Sequence, residues 1–571
     1  MYDLSTVLYE KGNFLNGPTC LLSSETKDVD CKRKRHQTPI AQMRTTPQLV
    51  LPSILMVPFL TSAQPAIQWQ KCLGGTSGDE ENAVLQTADA GYVVAGYAYS
   101  NNGDVNGNLG ENDAWVVKLN SIGTIEWQTC LGGSESDVGN SIHQTADGGY
   151  VVAGKTQSDD EDVSGWHVGY NDLGNPNPDA WVVKLDGVGG IQWQRCLGGA
   201  DRDEASSVQQ TADGGYVVAG HTNSIDGDAS GNHGGNDAWL IKLSGSGDIQ
   251  WQKCLGGTEG DHLGAVLQTA DGGYLVAGHT QSNDGDVSGL HGTTYDAWVV
   301  KVSGTGDVLW VKVLGGTGWD QAYSVQQTVD GGYVLAGYTQ SNDGDVLGNH
   351  GSQDAWVVKL DVNGDIQWQR CLGGSAADRF YSIRQIAGGG FLAAGSAASH
   401  DGDVSGVHSA LSPDVWVVEL DNVGSIQWQK CLGGSNSENA NSIQQTADGC
   451  VIAGHVVSYD GDVVGSYVGS GGDGWVVKLG PNEVGIDGNE RVLFTLAPNP
   501  TRSVFTVQHS ENPSPKEMLL LDATGRTIMS RPTAASTGNW ILDLSGHESG
   551  LYFVRLRFTD GSSASKCVVK E

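Results

Sequence analysis

Between residues 207 and 257 short apolar runs alternate with turns: SVQQT, GYVVAGHT, DAWLIKL and DIQWQKCLG, separated by Gly-, Asp- and Ser-rich segments. Runs of this length bounded by turn residues predict four short strands. ADGG at 212–215 is an Asp-Gly hairpin signal, and SGSGD at 244–248 predicts a second short hairpin. A longer loop of 16 residues separates Gly220 from Asp237. The same text is then written again. The Trp of the IQWQ-type run recurs at Trp69, Trp127, Trp193, Trp251, Trp310, Trp368 and Trp428, and that of the DAWVVKL-type run at Trp115, Trp181, Trp239, Trp298, Trp356, Trp416 and Trp475. Self-similarity at a fixed period marks one supersecondary unit per repeat. The YVVAG strand is apolar on both faces, so a single unit cannot bury itself and the units must stack.

Without its long loop each unit is close to the ~40–45 residues of a four-stranded propeller blade. The first copy opens on an IQWQKCLG strand (67–74) with no preceding partner, and the last stops at DGWVVKL (473–479) with no following one. The first strand can therefore complete the last sheet. An open solenoid is the alternative, and it would leave three strands at one end and a lone strand at the other. The expected fold is all-β: a seven-bladed β-propeller over residues 64–480, with four-stranded antiparallel blades and the N-terminal strand closing the last blade. These repeats resemble the propeller repeats of secreted proteins from Bacteroidetes-type bacteria.

Residues 481–491 are polar and read as a linker. Beyond it, alternating runs such as SVFTVQ, MLLLD and LYFVRLRF predict a small Ig-like β-sandwich over 492–571. LAPNPT (496–501), LLDATGR (520–526), DLSGHESGLYFVRL (543–556) and KCVVK (566–570) resemble the type A C-terminal sorting domain of the type IX secretion system. Cys567 departs from the basic or aromatic residue of many relatives. The resemblance implies that the type IX machinery is a partner through 492–571, and that the cargo is released or attached at the surface. At the other end, Arg44, the apolar run 49–60 and the small residues 61–63 have the anatomy of a signal peptide over 43–63, cleaved at Ala63. Residues 1–42 then read as a non-native extension. A membrane anchor is the alternative, but a 12-residue apolar run is too short to span a bilayer.

Charge narrows the partners. With 66 acidic and 32 basic residues the formal net charge is −34, which disfavours nucleic acid. Cys72, Cys130, Cys196, Cys254, Cys371 and Cys431 share one register, where another copy has Val313. Equivalent positions in successive sheets lie beyond the ~7 Å Cα limit for a disulfide, so these read as small buried apolar residues.

Both long loops of a unit should open on one face, where propeller function usually lives. Three Asp series recur there: Asp79 and its equivalents (Glu438 in the last copy), Asp104 and its equivalents, and Asp113 and its equivalents. One reading is Ca²⁺ binding, with Asp228, Asp286, Asp345 and Asp403 as candidate ligands in NDGDVSG-like loops, because hard cations take several carboxylate and carbonyl oxygens. The other is that these side chains accept backbone N–H bonds and shape Gly-rich loops. T-x-D-x-G (Thr211, Asp213, Gly215) partly resembles the Asp-box of sialidase-like propellers, without its aromatic, and that resemblance implies a hairpin element. His233, His291, His350 and His408, and His221, His279 and His455, should point outward from different blades as solvated loop residues, too dispersed to share zinc. Trp166 and Trp319 can contact a ligand, stacking on sugars, or cap their own loops. Trp319, Arg379 and Phe380 are departures from the repeat assigned to inter-sheet loops. The function expected is an exported binding or structural protein with a glycan, protein or cation ligand; the alternative is a carbohydrate-active enzyme, a glycosidase or lyase, which needs a unique carboxylate pair.

Overall fold

The computed structural model describes residues 64–481, apart from 468 and 470, and within the tail 495–497, 501–509, 515–522, 526–532, 538–558 and 563–570. The leader reading, with Ala63, and most of the linker lie outside the described residues.

Seven four-stranded antiparallel sheets follow one another along the chain. In blade 1 the strands are Asp79–Gln86, Tyr92–Ala98, Asp113–Leu119 and Ile125–Leu131. Blade 7 takes Glu438–Thr446, Gly449–Val456 and Asp473–Leu479 from its own repeat and Ile67–Leu73 from the start of the ring. Ile67 pairs with Leu479 and Cys72 with Trp475. The first strand of each blade touches that of the next, and blade 7 meets blade 1, so the ring is closed with these strands innermost. This is a seven-bladed propeller.

The repeat spells out how each blade holds. The DAWVVKL strand is buried along its whole length, as are its Trp residues. The Trp115 indole N–H donates to Gln128 Oε1 at 2.7 Å, and Gln128 Nε2 donates on to Asn106 O at 2.9 Å, which ties the long loop to the outer strand. Trp181, Trp239, Trp356, Trp416 and Trp475 bond the equivalent Gln. The Cys residues of the outer strands are buried, free thiols, and burial pushes Cys72 up to about 12. Each fills a small space beside a Trp, as the Val313 of blade 4 does.

The tail forms a three-stranded and a four-stranded sheet. Phe505, Val507 and Leu542 of one share a core with Met518, Leu520, Val554 and Leu556 of the other. That is a sandwich, and its strand order supports no more specific class. Among the described residues no helix is long and apolar enough to cross a membrane.

Candidate functional site

The recurring carboxylates are used by the fold. Asp137, fully buried, accepts from Gly133 N at 2.9 Å, from Ser158 Oγ at 2.9 Å and from Thr156 Oγ1. Asp203 does the same with Gly199, Ser224 and Thr222. The third series opens the DAWVVKL strand, and Asp237 Oδ2 accepts from the His233 backbone N and faces His233 Nδ1 at 2.7 Å. His167, His291, His350 and His408 sit likewise on Asp179, Asp296, Asp354 and Asp414. These loop histidines are therefore not simply solvated: each is fixed by a buried carboxylate that needs a donor. In all seven copies the Oδ1 of this Asp is buried without a partner.

Two carboxylates from adjacent blades meet at Gly132. A Cβ there would lie 2.4 Å from Asp137 Oδ2 and 3.0 Å from Asp113 Oδ1, so no other residue fits. Burial raises both acids to about 6, Asp137 adding to the rise of Asp113. Burial likewise takes Asp179 to about 7 despite its His167 bonds.

The four calcium candidates are loop residues of the second series. The backbone N of Asp228, Asp286, Asp345 and Asp403 docks on Gly198, Gly256, Gly315 and Gly373 of the preceding blade at 2.7–2.8 Å. Asp345 and Asp403 also accept from that Gly N at 3.3 Å. His167 Nε2 lies 3.9 Å from Asp228, and His291 Nε2 3.7 Å from Asp345. Among the described residues no group of three His, Cys, Asp or Glu is placed to hold a metal.

The other candidates separate. Trp166 donates its N–H to Asn177 O at 2.9 Å, meets Tyr170 edge-on and packs on the blade core, so it caps its own loop. Trp319 is 44% exposed and edge-on to Tyr295. Arg379 and Phe380 belong to the innermost strand of blade 6, Asp378–Gln385, and not to a loop. Phe380 is buried and stacked on Trp416 at 5.0 Å, which makes it core.

What the sequence reading missed is the mouth of the ring. The repeats diverge at the second, third, fourth and seventh residues of the innermost strand and at the sixth residue of its neighbour; the third is buried in every blade, and the second, fourth and sixth make the mouth. The second positions are Glu80, Val138, Glu204, His262, Gln321, Arg379 and Asn439, and the sixth are Tyr97, Lys155, His221, His279, Tyr338, Ser396 and His455. These two sets pair directly across strands. The fourth residue is a β-bulge in every blade, a device that re-aims a side chain. All three positions lie at the end of the strand from which the long loops spring, beside the axis.

Across the blade seams these side chains join into a belt. Lys155 reaches Glu204 at 3.2 Å, and Arg202 reaches the same oxygen at 3.1 Å. His221 meets His262 at 4.6 Å, His262 stacks on His279 at 4.8 Å, and His279 meets Tyr295 at 4.9 Å. The expectation that these histidines disperse outward is thus wrong for His221 and His279, which converge on either side of His262. Burial drives both down to about 3, so they are neutral imidazoles. Tyr97 donates to Glu80 at 2.8 Å and, with Tyr99 and His455, lines a cleft of about 460 Å³ between blades 7 and 1. Below the mouth all seven innermost strands line an axial cavity of about 300 Å³, with Arg384 and His143 among its walls. The signal that could have revealed the mouth is column-by-column divergence among repeats, because no single repeat carries a motif.

The chain is 24% identical over 227 residues to the regulatory protein FlaEY of Caulobacter vibrioides, covering 38% of this chain and 23% of that protein. It therefore spans less than a quarter of that relative's length. Similar solved structures include PorZ, a surface component of the type-IX secretion system of Porphyromonas gingivalis, at 11% identity, 84% of this chain, 58% of that chain and TM-score 0.35. Puromycin hydrolase is similar at 11%, 80%, 60% and TM-score 0.38. Likenesses this remote carry no functional weight. Residues 495–570 match the family of secretion system C-terminal sorting domains. The chain therefore carries a type IX sorting domain behind its propeller and is an exported protein, delivered to the cell surface or released.

Proposed function

We propose that the propeller is a binding module that recognises its ligand at the mouth of the ring, outside the cell. One observation carries this reading: seven repeats kept nearly alike for folding differ where the innermost strands meet the long loops. The exposed aromatics there, Tyr99 and Trp319, offer large contact area at low entropic cost. Binding is favoured over hydrolysis because the mouth carboxylates are committed: Glu80 to Tyr97 and Asn441, and Glu204 to Lys155 and Arg202. Although burial opposes it, Lys155 and Arg202 lower Glu204 to about 2, unsuited to a general acid.

The test is a glycan and surface-protein array probed with the exported chain. Ligand retention should fall in Tyr97→Ala and Trp319→Ala and persist in Asp213→Asn, a hairpin variant of the opposite face. Equal loss in all three, or in none, would refute a mouth site.

A further inference from the structure

In a chain of formal charge −34, cations are expected to find carboxylates, and most described ones in the ring do. Lys118, Lys184, Lys242, Lys301, Lys359 and Lys478 each hold a hairpin Asp at 2.9–3.0 Å. The innermost strand of blade 6 is different. Arg379 and Arg384 lie on it, and their hydrogen-bond partners are Gln353, Ser324 and the Ile383 carbonyl rather than carboxylates. Among the described residues neither is ion-paired to a carboxylate, and Arg384 lines the axial cavity.

The bulge puts both on one face. Arg379 pairs with Ser396 and Arg384 with Leu392, with the register shift between Phe380 and Ser382. Ser396 and Leu392 are four residues apart on a regular strand, hence on the same face and roughly 13 Å apart. Without the bulge the two arginines would point to opposite faces. Both reach back to blade 5. The Arg379 guanidinium lies 5.0 Å from the Tyr338 ring centre, and Arg384 Nη1 donates to Ser324 Oγ at 3.3 Å.

Arg379 is also held in place. Its Nε donates to Gln353 Oε1 at 2.7 Å, and the Tyr381 hydroxyl is a further hydrogen-bond partner. Tyr381 stands beside it, 5.2 Å from Tyr323, and Tyr323 is 6.1 Å from Tyr338. Burial pushes the Tyr323 and Tyr338 hydroxyls above the ordinary phenol range, so both stay neutral, and Tyr323 donates its proton to Gln321 Oε1 at 2.7 Å. A fixed guanidinium ringed by phenols matches a carboxylate, which accepts forked and charge-assisted bonds.

We propose that Arg379, with Tyr338 and Tyr381, anchors the carboxylate of an acidic sugar at the mouth, and that Arg384 draws the same charge from within the axial cavity. This rests on the reading of the mouth as the binding site. A single acidic residue at the end of a glycan is favoured over a polyanion, which the net charge would repel. It is favoured over an acidic peptide because the neighbouring positions offer ring faces and the half-buried amides Gln353 and Asn439 rather than apolar sockets for side chains.

The experiment is ligand-observed NMR titration of the exported chain with methyl glucuronoside, its methyl ester, methyl glucoside and N-acetylglutamate. Only the glucuronoside should bind saturably, and Arg379→Gln should weaken it roughly tenfold or more, with Arg379→Lys between the two. Arg384→Gln should weaken it less and flatten its salt dependence. Ester or glucoside binding as tightly as the acid, N-acetylglutamate binding as tightly as the sugar, or an unchanged Arg379→Gln would each overturn the proposal. A neutral glycan lost in Tyr97→Ala but retained in Arg379→Gln would sink this subsite and leave the mouth reading standing. Thermal unfolding of each variant separates lost binding from lost fold.

Discussion

Blades 1–6 and blade 7 have the same sheet but are closed in different ways. In the first six a short hairpin delivers the outer strand beside the DAWVVKL strand, as 120–124 do in blade 1. In blade 7 there is no hairpin: Ile67–Leu73 arrives from the other end of the ring, and Gly480 N bonds Ala66 O at 2.8 Å where a turn would be. The cross-strand chemistry is nonetheless the same, with Trp475 donating to Gln70 at 3.0 Å. Side-chain register, and not chain continuity, therefore sets how an outer strand docks. Two further irregularities sharpen the point. Blade 4 has Val311 where other outer strands have Gln or its equivalent, and its Trp298 N–H is buried without a partner. At the seam of blades 7 and 1, Glu81 stands where blades 3, 5 and 7 have Ala, fully buried, with neither carboxyl oxygen bonded. It fits because Gly474 replaces the Ala or, in blade 6, Val of other blades: a Cβ on Gly474 would lie 2.7 Å from Glu81 Cγ.

Removing residues 64–74 should have the largest effect. Blade 7 would lose its outer strand, and the loss would be comparable with the about 5–15 kcal/mol that holds a domain folded. Circular dichroism should show no cooperative melt, and adding the strand back in trans as a peptide should restore one. Next comes the Glu81 seam. Burial, with Asp79 and Glu80 nearby, holds Glu81 well above the ordinary carboxyl range. Its protonated form is favoured on folding, so its contribution is present below about pH 4.3, the unfolded value, and is lost as pH rises. Glu81→Ala with Gly474→Ala should thus gain about 1–3 kcal/mol at pH 8 and progressively less on acidification, read by denaturant melts across pH. Gly474→Ala alone should destabilise, and non-additivity of the pair would verify the contact. Val311→Gln should contribute about 1 kcal/mol by giving Trp298 its acceptor. Smallest of all, a chelator should leave the melting temperature of the propeller unchanged. A calcium-dependent rise would instead assign a cation to the loops of Asp228, Asp286, Asp345 and Asp403.

These contrasts also show what the amino-acid order could reveal. The ring was legible because its two ends are each incomplete in a complementary way, and that is visible without coordinates. The shared Cys register was legible because Val313 shows that only size matters there. The mouth was not, because Glu80, His262 and Arg379 belong to no motif and lie in different repeats. Glu81 and Gly474 were hidden for a related reason: they become neighbours only once the ring has closed. Arg379 was placed in a loop because the strand begins at Asp378, four residues before Ser382, the equivalent of the SVQQT start.

Closure by the first strand sets a timetable. Its partner is the last piece of the propeller to be synthesised, so an edge of unpaired amides persists from the start of translation until that piece exists. Pairings between such distant segments are slow to form, because the intervening chain must first be gathered. A nascent chain of this design therefore stays incomplete, and open to a chaperone or a protease, until almost the moment its export address has been made.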